Sequence, residues 1–223
     1  MEIPVFPLPN LVLFPHIVVP LHIFEERYKV MINGCIDGSE VFGLVLLRSG
    51  ADEETEETIH RVGVTARVVE VERLDEGRMN ILCEGERRFR IYRFTQQTPF
   101  WKGAVNFLDD KEHHATEALY DQVAELYRSV ANLSATLSGS EEPELVLPES
   151  ATDLSYMVSY VLDIDSEEKQ KLLEMDSTAE RLQMLLAHLT DTIRKLEQQR
   201  ANKEIMKKLR GNGDLGMPHA KDS

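Results

Sequence analysis

The feature that most limits what this chain can fold into is a change of hydrophobic period near residue 110. From Ile3 to Leu108 the apolar residues come in short stretches broken by Pro and Gly, the pattern of a β-rich region with irregular connections. Beyond Lys111 the period becomes helical: Leu119, Val123, Leu126, Val130, Leu133 and Leu137 recur at steps of four and three, one stripe of an amphipathic helix. The two patterns in series read as an α+β fold. The expected division is a β-rich region over residues 1–110, a helical region over 111–210 and a disordered tail over 211–223. At 223 residues the chain can bury a substantial core without disulfide staples.

Prolines at 4, 7, 9, 15 and 20 exclude a helix at the start of the chain. They also argue against a regular central strand, so Val5-Phe6 and Leu11-Val12-Leu13-Phe14 are expected as brief strands with kinks between them. A helix is predicted over 23–36, with Phe24, Tyr28, Met31 and Ile32 near one face and Gly34 close to its end. Strands follow over 41–47, 63–73, 79–84, 88–94 and 102–108, with Asp75-Glu76-Gly77-Arg78 as a hairpin turn. The acidic stretch 49–60 lacks the spacing and central Gly of an EF-hand and reads as a solvated, mobile loop. In the helical half, Thr152 or Asp153 is the expected cap of a helix through Leu154, Met157, Val158, Val161 and Leu162, and a short helix opens at Ser166. Ser177-Thr178-Ala179-Glu180 has the form of a capping box and starts a last helix that ends near Gly211. Its apolar stripe fades after Leu196, so its distal part is expected to project.

Asp and Glu outnumber Lys and Arg by 39 to 25, a formal charge of −14, and such a field repels polyphosphates, which argues against nucleic acid as a partner. Cys35 and Cys83 form no C-x-x-C pair and read as small core residues in a reducing compartment. Met1-Glu2-Ile3-Pro4 is acidic where a secretory signal carries positive charge, and no apolar run approaches the roughly 18 residues of a membrane span. A soluble cytoplasmic protein with no membrane partner is expected. No motif in the sequence assigns a catalytic, cofactor or metal residue. Gly211 to Gly216 fits G-x-G-x-x-G but follows a helix instead of a strand. His113 and His114 are adjacent, about 100° apart on a helix, and read as a surface pair at a helix start.

The ordered series Ile3-Pro4-Val5-Phe6-Pro7-Leu8, Val12-Leu13-Phe14-Pro15 and Pro20-Leu21-His22-Ile23-Phe24-Glu25-Glu26-Arg27-Tyr28 resembles the opening of the Lon N-terminal domain family. Phe42-Gly43-Leu44-Val45, Val62-Gly63-Val64-Thr65-Ala66, Glu84-Gly85-Glu86-Arg87-Arg88-Phe89-Arg90-Ile91 and Lys169-Gln170-Lys171-Leu172-Leu173-Glu174 look like its later blocks in order, over about residues 1 to 210. The resemblance implies a PUA-like pseudo-barrel followed by a helical bundle with a long C-terminal helix. It also implies a free-standing substrate-recognition domain without the ATPase and Ser-Lys peptidase modules, hence no enzyme. Implied partners are unfolded or partly folded proteins, with a separate protease or ATPase and weak self-association as further expectations. The alternatives are an adaptor for a separate ATPase, an RNA-binding protein of PUA-like fold, and a hydrolase with an unrecognised site. Arg27, Arg87 and Arg88 are expected in ion pairs with the neighbouring Glu25, Glu26, Glu84 and Glu86, and Phe14, Phe24, Tyr28 and Phe89 in the core. His22, Phe24, Glu25, Glu26 and Arg27, where a Pro-rich segment enters a helix, are the candidate protein-binding surface.

Overall fold

Six strands and five helices make up the computed structural model, which describes residues 1–38, 40–51, 53–111 and 116–212. The strands are β1 (Glu2–Pro9), β2 (Val18–Ile23), β3 (Phe42–Leu47), β4 (Ile59–Arg73), β5 (Met79–Gln96) and β6 (Trp101–Phe107). The helices are α1 (Glu26–Gly38), α2 (Thr116–Ser138), α3 (Ala151–Val161), α4 (Ser166–Glu174) and α5 (Thr178–Asn212). His113, His114 and residues 213–223 lie outside the described residues. Two compact units result, one from residues 1–120 and 148–185, the other from 121–147 and those from 186 on.

In the first unit the sheet order β2-β5-β4-β3-β1-β6, with β5 also paired to β6, closes five strands into a barrel and leaves β2 as an added edge strand. Closure depends on β5, which runs unbroken where the sequence suggested two strands. Its first half pairs with β2 through Val18↔Glu84 to Ile23↔Met79, and its second half pairs with β6 from Phe89↔Phe107 to Gln96↔Lys102. Gly85, at the change of partner, lets the chain cross: a Cβ there would lie 2.4 Å from the Phe14 carbonyl oxygen. His16 N–H donates to the Gly85 carbonyl at 2.7 Å, and Gly85 N–H donates to Ile17 at 2.9 Å. Inside the barrel Ile3, Val5, Val45, Phe89, Ile91 and Trp101 pack together, and the Phe89 ring occupies the room left by Gly43.

β1 overturns the expectation drawn from its prolines, for it is a continuous internal strand of eight residues. The physical reason is that it is paired on one edge at a time. Glu2 to Val5 pair antiparallel with β6, Val5 to Pro9 pair parallel with β3, and only Val5 is shared. Each proline therefore has an edge on which no donor is needed. Leu11 to Phe14 form no strand, although Val12, Leu13 and Phe14 are buried. The Asp75–Gly77 turn takes positive φ at Glu76 and Gly77.

Helices α3 and α4 and the start of α5 belong to the same unit as the barrel. Ser150, not Thr152 or Asp153, caps α3 by accepting from Asp153 N–H, because the helix begins at Ala151. Ser177 Oγ accepts from Glu180 N–H at 3.3 Å at the start of α5, half of the capping box. Arg88 and Arg181, fully buried, share the Asp110 carboxylate. Arg88 also donates to the carbonyls of Leu173 (2.8 Å) and Met175 (2.6 Å) at the end of α4, and Arg181 donates to Met175 and to Ser155. The Tyr156 hydroxyl donates to Asp110 as well. Beside them, buried His60 of β4 meets Glu167 at 3.0 Å and Glu174 at 3.6 Å, and Gln170 donates to the Val62 carbonyl.

In the second unit Val123, Ala124 and Ala135 of α2 and Leu189 of α5 are buried, and Lys203 donates to the Leu137 carbonyl at 2.7 Å. From Glu197 to Lys207 every side chain of α5 is exposed, in step with the fading stripe. At 35 residues α5 measures about 50 Å.

Candidate functional site

The segment from the end of β2 into α1 meets the second half of β1 across a groove of about 270 Å³ lined by Phe6, Pro7, Leu8, Pro9, His22, Ile23, Phe24, Glu25, Tyr28 and Glu54. Strand alternation sets its rim: Ile23 turns into the core at 1% exposure, so Phe24 turns out at 60%. Phe24 precedes the helix, which starts at Glu26, and the expectation that it is a core residue is overturned. Its ring stacks on His22 with centroids 5.9 Å apart. His22 is held from behind by a chain across three strands. Its Nδ1 lies 2.7 Å from Asn80 Oδ1, and Asn80 Nδ2 donates to Glu72 at 2.7 Å. An amide oxygen only accepts, so Nδ1 is the donor of this pair.

The floor is built around Glu54. Arg27 grips its carboxylate with both terminal nitrogens at 2.8 Å, Tyr28 donates its hydroxyl at 3.0 Å and Trp101 its indole N–H at 3.2 Å. Both oxygens are occupied and the charge is matched, so the floor presents no free ion to a ligand. Burial, reinforced by the Glu54 charge, pushes the Tyr28 phenol far above its ordinary pKa, so it remains a donor at any working pH. Phe6 packs on the Tyr28 ring, centroids 4.0 Å apart. The acidic stretch 49–60 is thus not merely a solvated loop, since it delivers Glu54 to a half-buried anchor.

Of the five candidate residues, His22, Phe24 and Glu25 line the groove. Arg27 stands behind it, reaching it through Glu54, and Glu26 faces solvent with its side chain 87% exposed, paired to Lys29. Glu25 gives one carboxylate oxygen to Arg27 at 2.9 Å and its carbonyl to the first turn of α1. Arg27 pairs with Glu25 as expected, but its main partner, Glu54, was not anticipated. Arg87 pairs with Asp109 and Arg88 with Asp110, neither with the neighbouring glutamates. Glu54 had no local signal, being 27 residues from Arg27 in a run of acids. In the sequence Pro7 and Pro9 signal only strand breaks, although both line the groove. Among the described residues no group of three or more His, Cys, Asp or Glu is placed to hold a metal ion, and no helix is long and apolar enough to cross a membrane.

Comparison with known proteins gives a consistent result. A family model described as the ATP-dependent protease La (LON) substrate-binding domain matches residues 2–191. The chain is 29% identical over 218 residues to Lon protease 2 of Herpetosiphon aurantiacus, covering 94% of this chain and 27% of that protein. It is 25% identical over 201 residues to Lon protease of Flavobacterium johnsoniae, covering 88% of this chain and 25% of that protein. The chain therefore spans about a quarter of the length of these curated relatives. Among solved structures, a Lon N-terminal domain protein from Xanthomonas campestris has the same fold, with TM-score 0.59, 22% identity, and coverage of 84% of this chain and 98% of that one. The N-terminal domain of Mycobacterium avium complex Lon protease has TM-score 0.59 at 20% identity, over 86% of this chain and 99% of that one.

Proposed function

Because the chain belongs to the ATP-dependent protease La (Lon) substrate-binding domain family, we propose that it captures unfolded or exposed apolar protein segments in the groove between β1 and the β2–α1 junction. The observation that supports this reading is an apolar groove with an exposed aromatic rim, Phe24, over a floor whose one carboxylate is already neutralised. Covering Phe24 and one client side chain supplies about 1.5–3 kcal/mol each. Ordering a disordered client costs roughly 2–5 kcal/mol, so a single groove gives micromolar or weaker affinity and useful capture relies on avidity.

The chain acts as a binding module. Within its sequence there is no G-x-x-x-x-G-K-[ST] loop and no G-x-S-x-G elbow. The curated relatives are named Lon proteases, and delivery of captured clients to a proteolytic machine is part of the same reading. Buried free thiols at Cys35 and Cys83 support the cytoplasmic setting expected from the sequence. The test is titration of a labelled, permanently unfolded protein against the whole chain and against Phe24→Asp, with the folded form as control. Preference for the unfolded form that weakens in Phe24→Asp supports the groove. Equal affinity for folded and unfolded forms removes the reading.

A further inference from the structure

The prolines of β1 do more than shape a strand. In a parallel ladder each bridge needs an N–H from β1, and prolines have none to give. The register Phe6↔Leu44 to Pro9↔Leu47 therefore runs through the N–H groups of Phe6, Leu8 and Asn10. Backbone groups alternate sides along a strand, so the carbonyls of Pro7 and Pro9 point to the opposite edge. On that edge pairing with β6 has already ended at Val5. Among the described residues no other group donates to either carbonyl. The groove is thus bordered by an edge with two acceptors about 7 Å apart and no donor.

Glu25 adds to the same polarity. One of its carboxylate oxygens takes the Arg27 Nε, the other has no partner among the described residues, and its side chain is 42% exposed. An extended internal segment is a poor match for such a wall, because each residue that donates an N–H also brings a carbonyl that meets a proline ring and stays unpaired. A chain terminus brings the same carbonyls but offsets them with charge-assisted hydrogen bonds. An ammonium brings three donors and no acceptor, and its charge suits Glu25 and a protein of formal charge −14.

Resting on the groove reading above, we propose that this site selects the free amino terminus of a polypeptide whose first residues carry large apolar side chains. The ammonium sits between Glu25 and one proline carbonyl, and the N–H two residues further on reaches the other, since that step along an extended chain is also about 7 Å. The first side chain enters the groove against Leu8 and Tyr28, and the second covers the Phe24–His22 stack. The saturated Glu54 floor rejects a charged side chain.

The experiment is fluorescence anisotropy on the whole chain with a C-terminally labelled peptide beginning Phe-Leu, free or N-acetylated, and with Glu25→Gln. Acetylation is expected to weaken binding about tenfold, and Glu25→Gln to weaken the free peptide several-fold without touching the acetylated one. The ionisable groups facing the site are His22, Glu25, Tyr28, Glu54 and Arg27. Raising the pH from about 7.5 to about 9 deprotonates the peptide amine and should bring the free peptide down to the acetylated level. If free and acetylated peptides bind alike, or if Glu25→Gln leaves the free peptide unaffected, the amino-terminus proposal is overturned and the groove reading stands. If Phe24→Asp also changes nothing for either peptide, both fall.

Discussion

Beside the groove, Arg27 grips Glu54 while its side chain stays 34% exposed; between the barrel and α4, Arg88 and Arg181 close on Asp110 at 1% and 0% exposure. The bonds are alike, but the consequences differ with solvent access. At the groove Arg27 meets Glu54 with both terminal nitrogens and Glu25 with Nε, hydrogen bonds saturate both Glu54 oxygens, and the outcome is a fully paired floor under a binding surface. In the interior two guanidinium groups share one carboxylate, and one terminal nitrogen of each donates to backbone carbonyls at the end of α4, which fastens α4 and the start of α5 to the barrel. Water can repair damage at the first cluster and cannot reach the second, so the first tolerates functional tuning and the second does not.

The largest expected effect breaks the interior cluster. Asp110→Ala strands two buried arginines and the Tyr156 hydroxyl and should cost about 3–5 kcal/mol in urea unfolding; a loss below about 1 kcal/mol would mean that water enters and the two clusters are equivalent. Next comes Glu54→Ala, which leaves Arg27, Tyr28 and Trp101 without their acceptor and should cost about 1–3 kcal/mol. Trp101, the single tryptophan, reports the change, and its emission should shift to the red as water enters; unchanged emission would show that the floor does not depend on Glu54.

A smaller effect lies at His60. Its imidazole, 3.6 Å from the carboxylate and foremost among several causes, holds the Glu174 carboxyl below its ordinary pKa. A folded-state pKa below the unfolded one gives stabilisation that is full above the ordinary glutamate value of about 4.3 and fades as the pH falls through the folded value. His60→Asn should therefore flatten the acid limb of the stability curve, by under about 1 kcal/mol because Glu174 is only half-buried; an acid limb superimposable on that of the parent protein would refute the assignment. Smallest is Arg87→Ala. Arg87 adjoins Arg88 in sequence but is 55% exposed, paired to Asp109 and laid over Phe107, and its loss should move stability by about 0.5 kcal/mol. A cost comparable to that of Asp110→Ala would erase the distinction between the two neighbours.

The helices and most of the strands are legible in the sequence because hydrophobic period is a local property, whereas β2, the lack of a strand at Leu11 to Phe14 and the continuity of β5 are not. The region of the groove was legible too, since His22, Phe24 and Glu25 line it. The part that was not legible depends on what lies across from each residue. Prolines at 4, 7 and 9 read as strand breakers because pairing on one edge at a time cannot be seen from a single strand. Phe24 read as core because aromatic character is local and the face it turns to is not. Glu54 looked like one acid among many until the fold set it beside Arg27, Tyr28 and Trp101, and nothing in composition separates Arg88 from Arg87. The sequence by itself determined which segments pair or coil, since backbone donors, apolar period and proline geometry act over a few residues. Which carboxylate meets which arginine, and which edge of β1 stays open, were decided by the closure of the barrel, which brings together groups tens of residues apart.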